Sequence, residues 1–255
     1  MQKWEKALNK FMERYIHEPW FQGALLCGSY ATGNQNQFSD VDVTIVGSDN
    51  MGFQEKSNCY VDGILMEYII NPISKYKEYF DNCLENHHHT NQNMFVYGKI
   101  LYDKNGAVKK LRDLAVRQIK KPFKPMSEYN REFRKYHLWD KYDELQSLER
   151  SGMHTDLQYW SLVDLLITSY YDFKNLPHIP HSKIEKILTD KNFAKRYHIQ
   201  ATPTPAFTEK LLVCMNAKSK SDKKQAIDNL YKFVMKSGGG FDIGKFRGYN
   251  KLKKQ

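Results

Sequence analysis

The sequence predicts an α+β domain followed by an all-helical domain, and three observations support this fold class. Short apolar runs alternate with helical patterns over the first 121 residues, whereas only helical patterns follow residue 127. Two prolines in the segment PFKPMSEY exclude regular structure just before Ser127 can cap a new helix. At 255 residues the chain has room for one large domain or two small ones. We therefore place the domains at residues 1–121 and 122–255.

The expected elements follow from hydrophobic periodicity and turn residues. Strands are expected in GALLCG, VDVTIV, both halves of SNCYVDGILMEYII, and GKILYDKNG. The two halves meet at Asp62-Gly63, a dipeptide that tolerates the positive φ of a tight hairpin. Helices are expected at residues 1–16, at residues 74–85, in AVKKLRDLAVRQIKK, and at residues 128–150, 155–173, 182–197, 207–217 and 222–236. A dense set of apolar residues predicts a buried core helix: Trp160, Leu162, Val163, Leu165, Leu166, Ile167, Tyr170 and Tyr171.

The composition narrows the class of protein. A 41% hydrophobic share without an apolar run of transmembrane length, and without a charged-then-apolar leader, predicts a soluble, cytoplasmic protein with no membrane partner. The four cysteines are far apart and form no CxxC pair, so neither a disulfide framework nor a zinc site is indicated.

The charge is uneven along the chain. Residues 1–103 hold 8 Lys and Arg against 13 Asp and Glu, a net charge of −5. Residues 104–255 hold 31 against 16, a net charge of +15. The basic half could face an anionic substrate or nucleotide phosphates, although a lysine-rich composition alone would look the same. We favour a small-molecule partner over nucleic acid.

The stretch GSYATGNQNQFSDVDVTIV, residues 28–46, carries the main chemical signal. Asp40 and Asp42 alternate with apolar residues on a predicted strand, so their carboxylates share one face while Val41, Val43 and Ile45 point into the core. Two like charges this close repel unless a cation lies between them. Mg²⁺ suits such a site, because it binds a few carboxylates and completes its shell with water and substrate phosphates.

Two further features extend this site. Glu67 interrupts the apolar run ILMEYII and is a candidate third metal ligand, the alternative being a partly exposed edge strand. Gly28 allows close backbone approach to a phosphate, which the Ser29 hydroxyl and the following N–H groups can hold.

The pattern of Gly-Ser, ten residues and then DVDV, with Glu67 on a later strand, resembles the signature of the DNA polymerase β-like nucleotidyltransferase superfamily. The size, the ILMEYIINP strand and the trailing helical domain look most like the kanamycin and lincosamide antibiotic nucleotidyltransferases and their uncharacterised bacterial relatives. The resemblance implies a small mixed nucleotidyltransferase sheet flanked by helices. It also implies that Asp40 and Asp42 bind two Mg²⁺ ions, Glu67 the catalytic one, and that Gly28 and Ser29 hold the triphosphate of ATP or another nucleoside triphosphate.

The implied reaction is attack of a substrate hydroxyl on the α-phosphorus with release of pyrophosphate. In the kanamycin-type enzymes a glutamate of the helical domain acts as general base. His137, Asp140 and Glu144 lie on one face of the predicted helix at 128–150 and are the candidates, of which we choose Glu144. A solvated charged face is the alternative interpretation of all three.

The sequence therefore predicts an enzyme, a monomer or homodimer, that transfers AMP to a hydroxyl of a small molecule. Aminoglycoside and lincosamide antibiotics are candidate acceptors, which would make the protein a resistance enzyme. One alternative is a toxin- or antitoxin-type nucleotidyltransferase acting on tRNA or protein. Another is a nucleotide-binding protein without turnover, against which the intact set of three carboxylates argues.

Overall fold

The computed structural model describes residues 1–199 and 201–249. The chain separates into two compact units, Met1–Pro122 and Phe123–Gln255. The first unit contains five strands: β1 Phe21–Leu26, β2 Val41–Gly47, β3 Glu55–Val61, β4 Ile64–Pro72 and β5 Lys99–Asp103. Its helices are α1 Lys3–Met12, α2 Gly28–Thr32, α3 Ile73–Glu85, α4 Thr90–Tyr97 and α5 Ala107–Gln118.

The strands form one mixed sheet in the order β3-β4-β2-β1-β5. The pair β2 and β4 is parallel, and the other neighbouring pairs are antiparallel. The predicted hairpin is confirmed: Asp62 and Gly63 join β3 to β4 with φ values of 50° and 77°. Because β4 lies between β3 and β2, the interpretation of Glu67 as an edge-strand residue is wrong.

Each face of the sheet packs against helices. On one face Val41, Val43 and Ile45 are buried in a cluster with Phe11 and Met12 of α1. On the other face, residues of β1 and β2 pack against α3 and α5; this cluster includes Leu25, Val46, Tyr76, Phe80, Val108 and Leu111. Strand alternation therefore turns Asp42, which lies between Val41 and Val43, away from α1 and onto the second face.

The second unit contains helices and, among its described residues, no strand, which confirms the predicted fold class with its helical C-terminal region. Its α-helices are α6 Glu128–Arg150, α7 Asp156–Phe173, α8 Ile184–Thr189, α9 Lys191–Arg196, α10 Pro205–Asn216 and α11 Lys220–Ser237. They enclose a core centred on α7, where the rings of Tyr170 and Phe207 stack with centroids 3.8 Å apart. Within the described part of the chain, no helix combines the length and the apolar character needed to cross a lipid bilayer.

Two expectations about helices are wrong, and one helix was not expected. The helix expected at 182–197 is interrupted, because Asp190 takes an extended conformation and its side chain accepts a hydrogen bond from the backbone N–H of Phe193, which starts a new helix. Trp160 is 44% exposed, although α7 is otherwise largely buried. Helix α4 was not expected, since its first four residues are polar; its Gln92 is buried and donates to the carbonyl of Phe80 at 2.7 Å.

Candidate active site

The structure brings Asp40, Asp42 and Glu67 together on one face of the sheet. One carboxylate oxygen of each lies within 4.8 Å of the others, and all three residues are half-buried. Asp42 and Glu67 are direct partners across the parallel pair of β2 and β4, and Asp40 immediately precedes β2. Side chains opposite each other on neighbouring strands are close, so the register of this one pair accounts for the contact between residues 25 positions apart in sequence.

The donor set of this cluster fits a hard divalent cation. Carboxylate oxygens are the ligands that Mg²⁺ and Mn²⁺ prefer, and Mg²⁺ needs only one or two of them besides water and substrate phosphates. Because the three carboxylate residues are only half-buried, water and substrate phosphates can reach them. Asp40, Asp42 and Glu67 could therefore hold the metal that the sequence motif predicts.

The turn after β1 is packed directly against this cluster. Gly28 has a φ of 60°, and a Cβ atom at this position would lie 1.8 Å from Oδ2 and 2.7 Å from Cγ of Asp42. The backbone N–H of Cys27 donates to the carbonyl of Asp42 at 2.8 Å. Only glycine fits here, for both its backbone conformation and its missing side chain. The Gly28 turn therefore places main-chain atoms directly beside the Asp42 carboxylate.

Ser29 lies in the first turn of α2, half-buried, directly after Gly28. Its carbonyl accepts hydrogen bonds from the backbone N–H groups of Gly33 and Asn34, the latter at 2.9 Å, which close the loop. Because Ser29 is only half-buried, its side chain is accessible from solvent.

Cys27 is the one thiol next to the cluster among the described residues, and it is chemically inert there. The side chain is buried, and its Sγ lies 3.4 Å from Oγ1 of Thr44. Burial raises the pKa of the Cys27 thiol to about 12, and the nearby Asp42 carboxylate adds to the rise. A thiol that stays protonated is neither a nucleophile nor a metal ligand, so the chemistry at this face belongs to the carboxylates.

Sequence reasoning missed Lys56, which the structure adds to the site. Its Nζ lies 3.3 Å from Oε1 of Glu67. Asn58 is the direct partner of Glu67 on β3, and Lys56 is two residues before it on the same strand face. The available signal was the alternation of exposed Lys56, Asn58 and Tyr60 along β3, but only the strand register connects them to Glu67.

The candidate base Glu144 lies in the second unit, on an exposed part of α6. Its Oε2 accepts a hydrogen bond from Nζ of Lys141 at 2.9 Å. This hydrogen bond and the charge of Glu144 raise the pKa of the Lys141 ammonium group above its ordinary value. His137 and Asp140, the other candidates, are also exposed on α6.

A mixed sheet that presents three clustered carboxylates beside a glycine turn is a scaffold for metal-dependent transfer of phosphorus-containing groups. Residues 18–137 match the family described as the nucleotidyltransferase domain. This region contains the whole sheet and the first part of α6. This match identifies residues 18–137 as a nucleotidyltransferase domain, which supports a transferase activity.

A solved structure is also similar to this chain: the crystal structure of a nucleotidyltransferase-like protein from Exiguobacterium sibiricum 255-15. The two chains share 12% sequence identity with a TM-score of 0.43, over 92% of this chain and 77% of the other. No curated protein matches the sequence at a significant level.

Proposed function

We propose that this protein transfers AMP from ATP to a hydroxyl of a small-molecule acceptor and releases pyrophosphate. The observation that carries the proposal is the acidic cluster of Asp40, Asp42 and Glu67, packed against the Gly28 turn. Nucleotidyl transfer needs charge neutralisation around the phosphates and accurate positioning, and this face of the sheet offers groups for both.

In this proposal the three carboxylates hold two Mg²⁺ ions, Asp40 and Asp42 as ligands of the pair and Glu67 as an additional ligand of the catalytic ion. When bound, the ions supply positive charge that stabilises the attacking and leaving oxygens. The strand pair of β2 and β4 fixes Asp42 beside Glu67, so the ligands are positioned by the sheet before any substrate arrives.

Gly28 and Ser29 bind the triphosphate. Gly28 lets the main chain approach the phosphates, and the Ser29 hydroxyl donates a hydrogen bond to a phosphate oxygen. Glu144 acts as the general base, accepting the proton that the acceptor hydroxyl loses as it attacks the α-phosphorus. The leaving group is pyrophosphate, which departs with the negative charge that the broken P–O bond releases.

The acceptor in this proposal is a hydroxylated small molecule, and aminoglycoside or lincosamide antibiotics are the first candidates. The net charge of +15 over residues 104–255 favours a second candidate function, nucleotidyl transfer to tRNA or to a protein. A basic surface would attract a polyanion, whereas it would repel a cationic aminoglycoside.

The experiment is incubation of the protein with each α-labelled nucleoside triphosphate and Mg²⁺, in separate reactions with aminoglycosides, lincosamides, total tRNA and a protein lysate. We expect label from ATP on a small molecule together with pyrophosphate release, and none with Asp42→Asn. Label on tRNA or protein would support the second candidate instead. Nucleotide binding without label on any acceptor would contradict both and favour a binding protein without turnover.

A further inference from the structure

The ammonium group of Lys56, on the edge strand β3, lies against Glu67 of the acidic cluster. Glu67 is 31% exposed at its side chain and Lys56 is 68% exposed, and their charged groups are 3.3 Å apart. The register explains this contact: Asn58 lies opposite Glu67, and Lys56 lies opposite Ile69, so the Lys56 side chain reaches Glu67 along the diagonal. The lysine approaches the cluster from β3, whereas the Gly28 turn follows β1 on the other side of β2.

The ion pair between Lys56 and Glu67 reduces the electrostatic repulsion within the acidic cluster when no metal ion is bound. Three carboxylates within 4.8 Å of one another repel, and the repulsion is worst when no cation is bound. An ammonium at Glu67 lowers that repulsion. The pair is nevertheless weak and replaceable, because an exposed ion pair is screened by water and has a flexible lysine side chain.

We propose that Lys56 is a positioning residue that holds Glu67 in the metal-free site and gives up its place to the divalent cation. This inference rests on the proposed metal role of Asp40, Asp42 and Glu67. Lys56 and the cation then compete for the carboxylate of Glu67, so Lys56 lowers the metal affinity while it stabilises the metal-free fold. The ammonium group of Lys56 thus holds the Glu67 carboxylate in place until a divalent cation displaces it.

The first experiment measures the binding of Mn²⁺ or Mg²⁺ alone by calorimetry, without nucleotide or acceptor. The Lys56→Met variant removes the charge and keeps the length of the side chain. It should bind the cation roughly three- to tenfold more tightly, the scale of removing one screened positive charge a few ångströms from the ion. The Lys56→Arg variant should restore an affinity close to that of the parent.

The matched control is Lys10→Met. Lys10 forms an exposed ion pair with Asp62 at 2.7 Å in the same unit, so this variant removes the same charge and a similar contact. Its metal affinity should equal that of the parent. A change as large as that of Lys56→Met would mean that total charge, not the contact with Glu67, sets the affinity, and would overturn the inference.

The second experiment is a double-mutant cycle of Lys56→Met and Glu67→Gln, followed by thermal melting in chelator and in millimolar Mg²⁺. In chelator, Lys56→Met should lower the Tm of the parent but leave the Tm of Glu67→Gln unchanged. In Mg²⁺ the difference in Tm between Lys56→Met and the parent should become smaller or change sign. Lys10→Met should lower the Tm equally in both conditions.

The two proposals fail in different ways. If the parent protein binds no divalent cation, the metal role of the cluster is wrong, and the role of Lys56 falls with it. If the parent binds the cation, Asp42→Asn does not, and Lys56→Met binds with the parent's affinity, the metal site stands and only the inference about Lys56 is overturned.

Discussion

The two units of this protein give their acidic side chains charged neighbours by different means. In the first unit, Asp42 and Glu67 are neighbours because two parallel strands pair in one register, although a turn and a third strand separate them in sequence. In the second unit, Glu144 pairs with Lys141, its neighbour one turn away on the same helix. A sheet fixes contacts over long sequence distances, whereas a helix surface fixes only those three or four residues apart. The proposed metal site therefore depends on the fold, and the proposed base depends on local sequence.

The largest expected effect is that of Asp42→Asn, which removes a charge from the centre of the cluster without changing the shape of the side chain. Nucleotidyl transfer should fall by about 10³-fold or more, since the variant loses a principal electrostatic stabiliser. Circular dichroism and Tm should show an intact fold. The control Asp62→Asn makes the same chemical change in the hairpin turn and should keep full activity; transfer by Asp42→Asn within tenfold of the parent would contradict the metal assignment.

The second-largest effect is expected for Gly28→Ala, with Gly33→Ala as its control. Gly28→Ala places a methyl group against the Asp42 carboxylate and should displace it from the cluster, with a loss of stability on the order of 3 kcal/mol and weaker Mg²⁺ binding. Gly33 also has a positive φ, 73°, but a Cβ there would meet open space. Gly33→Ala should therefore cost only about 1 kcal/mol, from backbone strain. Denaturant titration and metal calorimetry measure both variants, and equal losses would show that the contact with Asp42 is unimportant.

The helical unit supplies the third test. Glu144→Gln should lower kcat about 10²-fold with little change in nucleotide affinity, because a general base acts on the chemical step. Asp140→Asn, on the same exposed helix, is the control and should retain activity. If Asp140→Asn is the inactive variant, Asp140 is the general base instead. If both variants keep the kcat of the parent, the charged side of α6 is only a solvated surface.

The smallest effect is expected for Ser29→Ala. Loss of one hydrogen bond to a charged phosphate should weaken nucleotide binding by about 1.5–3 kcal/mol and leave kcat nearly unchanged. Calorimetry with ATP and Mg²⁺ measures the affinity. Ser57→Ala, on the opposite face of β3 from Lys56, is a matched serine control that should bind as the parent does. An unchanged affinity in Ser29→Ala would make the Gly-Ser turn purely structural.

Much of the first unit was predictable because period-two patterns and turn residues act locally. The hairpin at Asp62-Gly63, the strand that begins directly after Asp40 and carries Asp42, and the burial of Val41, Val43 and Ile45 all follow from such patterns. The sequence suggested that Glu67 lies near the aspartates, because a carboxylate within an apolar run is costly to bury unless it is paired or binds a metal ion. The catalytic roles of these residues stay predictions.

Other features could not be read from the chain, for identifiable physical reasons. Helix α4 is held by tertiary contacts such as the hydrogen bond of Gln92, and its sequence has no apolar stripe. The break at Asp190 depends on whether its side chain caps a helix or faces solvent inside one. Lys56 looked like an ordinary solvated residue, because nothing in a single strand says which partner strand it will lie against.

The register that joins β2 to β4 also limits how the chain can change in length. A residue gained or lost inside β4 ahead of Glu67 would turn this carboxylate to the face packed against α1, where Met66 and Tyr68 are now buried. The loop at residues 34–39 and the connection at residues 48–54 lie outside the strands and can absorb insertions or deletions. Among naturally occurring variants of this sequence, gaps should therefore accumulate in these two connections and be absent between residues 64 and 67.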